Sequence, residues 1–254
     1  MTIALERPAT PLRRITRVVR LNLANPRTTI VMPALIELAI FALSFIVWLL
    51  VSSSISPADR ADASDGVQYS GAASWIFFYM LVVAVQAMNL TFPLALGFGS
   101  TRRDFYLGSA LTFVALSAGW AIALSILSLL ERITNGWGIG MTMFTTIYFG
   151  GTGTDTVQQL LIFFCVMLFF FFVGAAFAAV YVRWKAVGLT VSLILLGFLL
   201  VGLLALIGYT QSWDAVGTFF EDARALGVAL WLLVPTAVAG IVGWLIMRRA
   251  TPRS

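Results

Sequence analysis

Histidine is absent from the 254 residues, cysteine occurs once, lysine occurs once, and charged side chains make up only 11% of the chain. Each shortage removes a class of chemistry. With no histidine and a single thiol, Cys165, the chain cannot close a disulfide on itself, and zinc sites and Ser-His or Cys-His catalysis lack their parts. Cys165 stands in the apolar run Leu161-Ile162-Phe163-Phe164-Cys165-Val166-Met167, where a lone thiol behaves as a small buried hydrophobe. The charged fraction is under half the roughly one quarter usual for soluble domains. Hydrophobic residues reach 60% and the mean hydropathy is +0.96. Apolar density of this order excludes disorder, and it exceeds what a core of this size can hide. Lipid is the remaining burying medium.

A helix rises about 1.5 Å per residue and the hydrocarbon layer is about 30 Å thick, so a crossing takes roughly 20 mostly apolar residues. Six stretches meet that length: 28–51, 74–98, 106–130, 157–182, 186–208 and 227–247. The sequence therefore predicts an all-α integral membrane protein with an amphipathic interfacial helix ahead of six spans. It divides into a cytoplasmic segment 1–27, a membrane domain 28–247 and a tail 248–254. The first apolar stretch is longer than a signal-peptide core and no small-residue cleavage site follows it, which predicts that it is retained.

Orientation follows from the cations. With both termini inside, Arg7, Arg13, Arg14, Arg17, Arg20, Arg27, Arg102, Arg103, Arg183, Lys185, Arg248, Arg249 and Arg253 are cytoplasmic, leaving Arg60, Arg132 and Arg224 outside. Thirteen of 16 cations on one side is the positive-inside pattern. Asp59, Asp62, Asp65, Glu131, Asp155, Asp214, Glu221 and Asp222 sort to the other side. The pI near 9.9 is thus explained by topology, without nucleic acid as a partner. Arginine in place of lysine, with abundant alanine and glycine, fits a GC-rich bacterial genome.

Ahead of the first span, Arg13, Arg17 and Arg20 fall on one helical stripe, with Leu12, Ile15, Val19 and Leu23 opposite. Such a helix suits the inner leaflet, and Asn25-Pro26 ends it. Between spans two and three the chain reads Gly97-Phe98-Gly99-Ser100-Thr101-Arg102-Arg103-Asp104-Phe105-Tyr106. Two glycines break one helix, and the spacing from Thr101 to Asp104 predicts a capped start to the next near Arg102. Two arginines in a first turn oppose the helix dipole, so something outside the helix must offset them, either lipid phosphate or an acidic protein groove.

The run from Gly99 to Phe105 resembles the Gly-x-Thr-Arg-Arg-x-Phe segment of bacterial ABC transporter permeases of the ABC-2 exporter type. Six spans, an amphipathic first helix and cytoplasmic termini agree with that family over nearly the whole chain. The resemblance implies that Ser100, Thr101, Arg102, Arg103, Asp104 and Phe105 form a coupling helix that docks on a separate ATPase subunit. It also makes the helix bearing Arg13, Arg17 and Arg20 a connecting helix near the same interface. A second permease copy, or a homologous one, would complete the pathway. ATP and magnesium would be bound by the partner, because the chain contains no GxxxxGK followed by Ser or Thr. The chain itself would be no enzyme and carry no cofactor, catalytic residue or metal. One departure is the connection 209–226, which reads as short where the family's larger exporters carry re-entrant helices.

Glu37 is the one acidic residue inside a predicted span; it must face protein or water, be protonated, or reach the headgroups. Small residues four apart at Gly174-Ala178 and Ala239-Gly243 suit either bundle packing or a dimer seam. The stretch from Met141 to Phe149 suits the outer leaflet or a re-entrant segment. Phe163-Phe164 and Phe169-Phe170-Phe171-Phe172 suit a lipid-facing surface or the path of an amphipathic cargo such as a lipid or peptide antibiotic. Tyr181-Val182-Arg183-Trp184-Lys185 reads as an interfacial anchor or a second partner contact. The competing class is a membrane interaction protein that transports nothing, such as an immunity or sensor component. An intramembrane enzyme lacks the paired acidic, histidine or Ser/Lys groups it would need.

Overall fold

Segments this apolar leave the backbone as their main polar component, and a helix satisfies it internally. The computed structural model, which describes residues 11–56 and 71–249, is accordingly helical, with no strand among the described residues. Arg7, Asp59, Arg60, Asp62, Asp65 and Arg253 lie outside the described residues. The helices are α1 (Pro11–Asn22), α2 (Met32–Ser54), α3 (Trp75–Gly97), α4 (Arg102–Ile133), α5 (Thr156–Tyr209), α6 (Trp213–Trp231) and α7 (Leu233–Met247). Among the described residues, five continuous helical stretches are long and apolar enough to cross a membrane: Arg27–Ser54, Ala72–Gly97, Arg102–Ile133, Thr156–Tyr209 and Trp213–Met247.

The 54-residue α5 would be about 80 Å long if straight, far more than one crossing needs. It breaks at Lys185, where φ is 59° and ψ −153°. A β-carbon on Gly188 would lie 3.6 Å from Val180 Cγ1, a pair that a straight helix would hold about 12 Å apart. The chain therefore folds back at Lys185, and the two limbs of α5 coincide with the apolar stretches 157–182 and 186–208.

The connection read as short, 209–226, is largely helix α6. It breaks at Arg224 (φ 51°, ψ −178°), and the rings of Phe219 and Trp231 lie 5.8 Å apart across that break, against about 18 Å in a straight helix. Asp214, Glu221 and Asp222 suggest a polar loop. Interleaved Val216, Phe219 and Phe220 give the segment an apolar component that a helix can hold.

The core lies between α3, α4 and the first limb of α5. Phe163 and Phe171 are fully buried there, Phe163 against Phe149 and Phe171 stacked on Phe113 with centroids 5.1 Å apart. Phe164, Phe170 and Phe172 are half-buried against the same core, and Phe169 is half-buried beside the ring of Phe170. The phenylalanine runs are thus chiefly core, because helical periodicity turns at least one of each run inward. Gly174 permits the closest approach in this core: a β-carbon there would sit 2.5 Å from Leu81 O. One on Gly243 would meet Tyr106 Oη at 2.9 Å and Ala176 Cα at 3.6 Å. The small-residue spacings therefore serve packing within the bundle. Outside it, no residue from 186 to 209 is buried, and α2 buries only Pro33, Glu37 and Trp48.

The segment 134–155 closes the far end of the bundle. Glu131, 1% exposed, accepts hydrogen bonds from the main-chain N–H of Met143, Phe144 and Thr145, each at 3.0 Å, from Trp137 Nε1 at 3.2 Å and from the Thr145 hydroxyl. Gln159 donates to Phe144 O at 2.9 Å and accepts from Ser128 Oγ at 2.8 Å. Met141, Met143, Phe144 and Phe149 are buried as a result, and Phe144 packs beside Phe41, about 20 Å along α2 from its end at Ser54. The stretch thus packs inward on the bundle. Irregular backbone is tolerated at such depth only when its polar groups are paired inside the protein, which is the work of Glu131 and Gln159.

Candidate functional site

At the opposite end, three elements meet: α1, the first turn of α4 and the last turn of α7. The turn leading into α4 is built by its sequence. Gly99 takes φ 76°, its N–H donates to Leu96 O and that of Ser100 to Ala95 O, both at 3.0 Å, which closes α3 with a two-bond cap. Thr101 is extended and its hydroxyl accepts from Asp104 N at 3.1 Å, so α4 starts at Arg102 as the spacing predicts. The turn leaves Phe98 73% exposed at its tip.

Asp104 and Phe105 point inward. Phe105 is fully buried with its ring 5.2 Å from Phe92. Asp104, 6% exposed, does not reach back to its own cap but forms an ion pair with Arg14 Nε at 3.1 Å. One turn along, Gly108 receives Val18, and then Asn22 Nδ2 donates to Ser109 Oγ at 3.2 Å while its Oδ1 accepts from Thr91 Oγ1 at 3.0 Å. Positions 14, 18 and 22 therefore form the docking face of α1. That face is rotated from the stripe read from hydropathy: Leu12 and Leu23 remain exposed, and Arg13, Arg17 and Arg20 lie exposed as expected. Shape and hydrogen bonding, which hydropathy does not register, select Val18 and Asn22.

The arginines of the α4 first turn differ in their surroundings. Arg102 Nη1 donates to Arg248 O at 3.2 Å, so the negative end of α7 offsets a cation that the α4 dipole disfavours. Arg103 is exposed. Two open clefts flank the turn. One of about 440 Å³ lies between α1 and the end of α3, lined by Arg17, Val18, Arg20, Leu21, Ala95, Phe98 and Ser100. The other, about 720 Å³, lies between α4 and α7. A smaller cavity of about 130 Å³ sits deeper, with uncharged polar walls from Asn22, Asn25, Thr28, Gln86, Thr91 and Thr112.

Glu37 is 4% exposed, and neither carboxylate oxygen has a hydrogen-bond partner among the described residues. Its burial sets it against protein. No group of three His, Cys, Asp or Glu side chains able to hold a metal occurs among the described residues. Arg14, Val18, Asn22, Phe98 and Arg248 are the members of this surface that motif reasoning passed over. The glycines on either side of Phe98 are the signal that marks it. Comparison of the chain with protein-family models, with curated proteins and with solved structures gives no match in any of the three.

Proposed function

We propose that the chain is the membrane-spanning permease subunit of an ATP-driven ABC exporter of the ABC-2 type, in the cytoplasmic membrane of a bacterium. In this reading it crosses six times with both termini inside, and two copies, or one with a homologous permease, form the pathway. The fold-back at Lys185 supports counting the limbs of α5 as two crossings, since Arg183 and Lys185 then join the other inner cations. The exposed, uncharged and largely apolar limb 186–209 and the exposed faces of α2 support a second copy in the membrane plane.

The observation that carries the reading is the joining of α1 to the capped turn before α4 by Arg14–Asp104 and Val18–Gly108. It supports a coupling surface on which exposed Phe98 shares a cleft with Arg17 and Arg20. An exposed aromatic anchor flanked by cations is the chemistry of a docking site for an acidic protein groove. Arg102, Ser100 and Thr101 shape that turn, and Asp104 and Phe105 hold it from below. ATP and Mg²⁺ belong to the docked ATPase.

The cargo in this reading is amphipathic or lipid-like, because the spans offer no pair of midplane charges and moving bare charge through hydrocarbon is costly. Reconstituted with its ATPase in liposomes, the permease should raise ATP turnover on addition of amphiphilic peptides or lipids and not of sugars. Selective stimulation by a small hydrophilic solute contradicts this choice of cargo.

A further inference from the structure

The cleft between the first turn of α4 and the last turn of α7 has a composition that ATPase docking does not require. Its walls are Thr101, Arg102, Arg103, Leu107, Trp244 and Arg248. Three arginines line it and, among the described residues, no carboxylate does. The carboxylate nearest in sequence, Asp104, is buried and committed to Arg14. The first-turn N–H groups of the 32-residue α4 add partial positive charge at the same end, and the last-turn carbonyls of α7 there are answered in part by Arg102. Arg102 is held in place by its bond to Arg248 O, so its fork is oriented before any ligand arrives.

The deeper wall is apolar. Leu107 is 41% exposed, and Trp244 packs its ring 5.5 Å from Tyr106, whose hydroxyl donates to Gly240 O at 2.5 Å. Leu107 and Trp244 each stand about one turn inside an apolar helix, at the depth where a cationic rim gives way to hydrocarbon. A ligand that fills the cleft must bring negative charge to the rim and an apolar body to the wall. A phospholipid carries both in one molecule.

We propose that this cleft binds an anionic phospholipid, its phosphate on Arg102, Arg103 and Arg248 and its acyl chains along Leu107 and Trp244. Arginine forks match phosphate oxygens in pairs, and basic pockets between membrane helices on the cytoplasmic side suit anionic headgroups. The proposal needs α4 and α7 to span a membrane with this end inside. It does not need an ATPase to dock, and its readout is lipid on the permease alone, so its failure is separable from failure of the coupling reading.

The test is native mass spectrometry of the full chain, purified in neutral detergent and supplied with phosphatidylglycerol, phosphatidylcholine or inorganic phosphate. The expected result is a preference for phosphatidylglycerol over phosphatidylcholine that falls tenfold or more, in order of magnitude, in R103Q/R248Q. R103K/R248K should recover part of it, and R183Q/R249Q, which removes two charges outside the cleft, should keep all of it. Equal retention of the two lipids by the unsubstituted chain overturns the proposal, and that comparison stands even if R103Q/R248Q fails to fold. So does an equal loss of preference in R183Q/R249Q. Inorganic phosphate that displaces phosphatidylglycerol at equal concentration would make this a free-anion site and overturn the lipid as its occupant.

Discussion

The β-carbon of Val18 lies 2.6 Å from where a β-carbon on Gly108 would stand, and Ile15 O lies 3.1 Å from the same point. No side chain fits between α1 and α4 at this level, so glycine at 108 sets how closely α1 can dock.

Enlarging that position should separate the two helices. Gly108→Val is expected to cost about 1–3 kcal/mol, the range for overpacking a close contact. It should also raise the rate at which a cysteine placed at position 18 reacts with a water-soluble maleimide. Gly108→Ala combined with Val18→Ala should recover most of the loss. A Gly108→Val protein with unchanged reactivity at position 18 would mean that α1 docks elsewhere.

Glu131 organises the segment that closes the other end of the bundle. Glu131→Ala leaves three buried main-chain N–H groups without acceptors, a loss of about 3–5 kcal/mol, as for breaking a buried charged network. Glu131→Gln should recover little, because both carboxylate oxygens act as acceptors and an amide N–H₂ would face N–H donors. Thermal unfolding in detergent reads the loss, and a cysteine at position 143 should become reactive in step with it.

Glu37 predicts the reverse. A buried carboxylate with no hydrogen-bond partner among the described residues contributes nothing to the fold that an isosteric amide would lose. Glu37→Gln should unfold at the same temperature or a higher one. A fall of several degrees would mean that a group outside the described residues, such as one on a second copy, pairs with it.

Topology has its own readout. Cysteines introduced at positions 60 and 214 should react with an impermeant reagent in intact cells, and those at 103 and 250 only after permeabilisation. Labelling at position 103 from outside would overturn the inside placement of the arginine surface.

The helices were legible because apolar length and the Gly97–Asp104 pattern are local signals, and α4 begins at Arg102 where its cap spacing puts it. What escaped sequence reading depends on contacts between distant positions. Glu131 reads as one more outward acid, since nothing local tells that its oxygens collect N–H groups 12–14 residues on. Val18 and Asn22 outrank Leu12 and Leu23 on α1 because Gly108 and Ser109 offer space and a hydrogen-bond partner. The helix at Trp213–Trp231 was hidden by its acids, and the buried Phe163 and Phe171 by the lipid-like look of their runs.

The account turns on an ATPase docking at the capped turn. The most direct measurement coexpresses the chain with candidate ABC ATPases from the same genome, then follows copurification and ATP turnover for the unsubstituted chain and for Arg102→Glu/Arg103→Glu. Like charges facing across an interface cost several kcal/mol. The account therefore predicts loss of the ATPase from the purified complex while the permease still inserts and unfolds at its usual temperature. Undiminished copurification with undiminished turnover would contradict it.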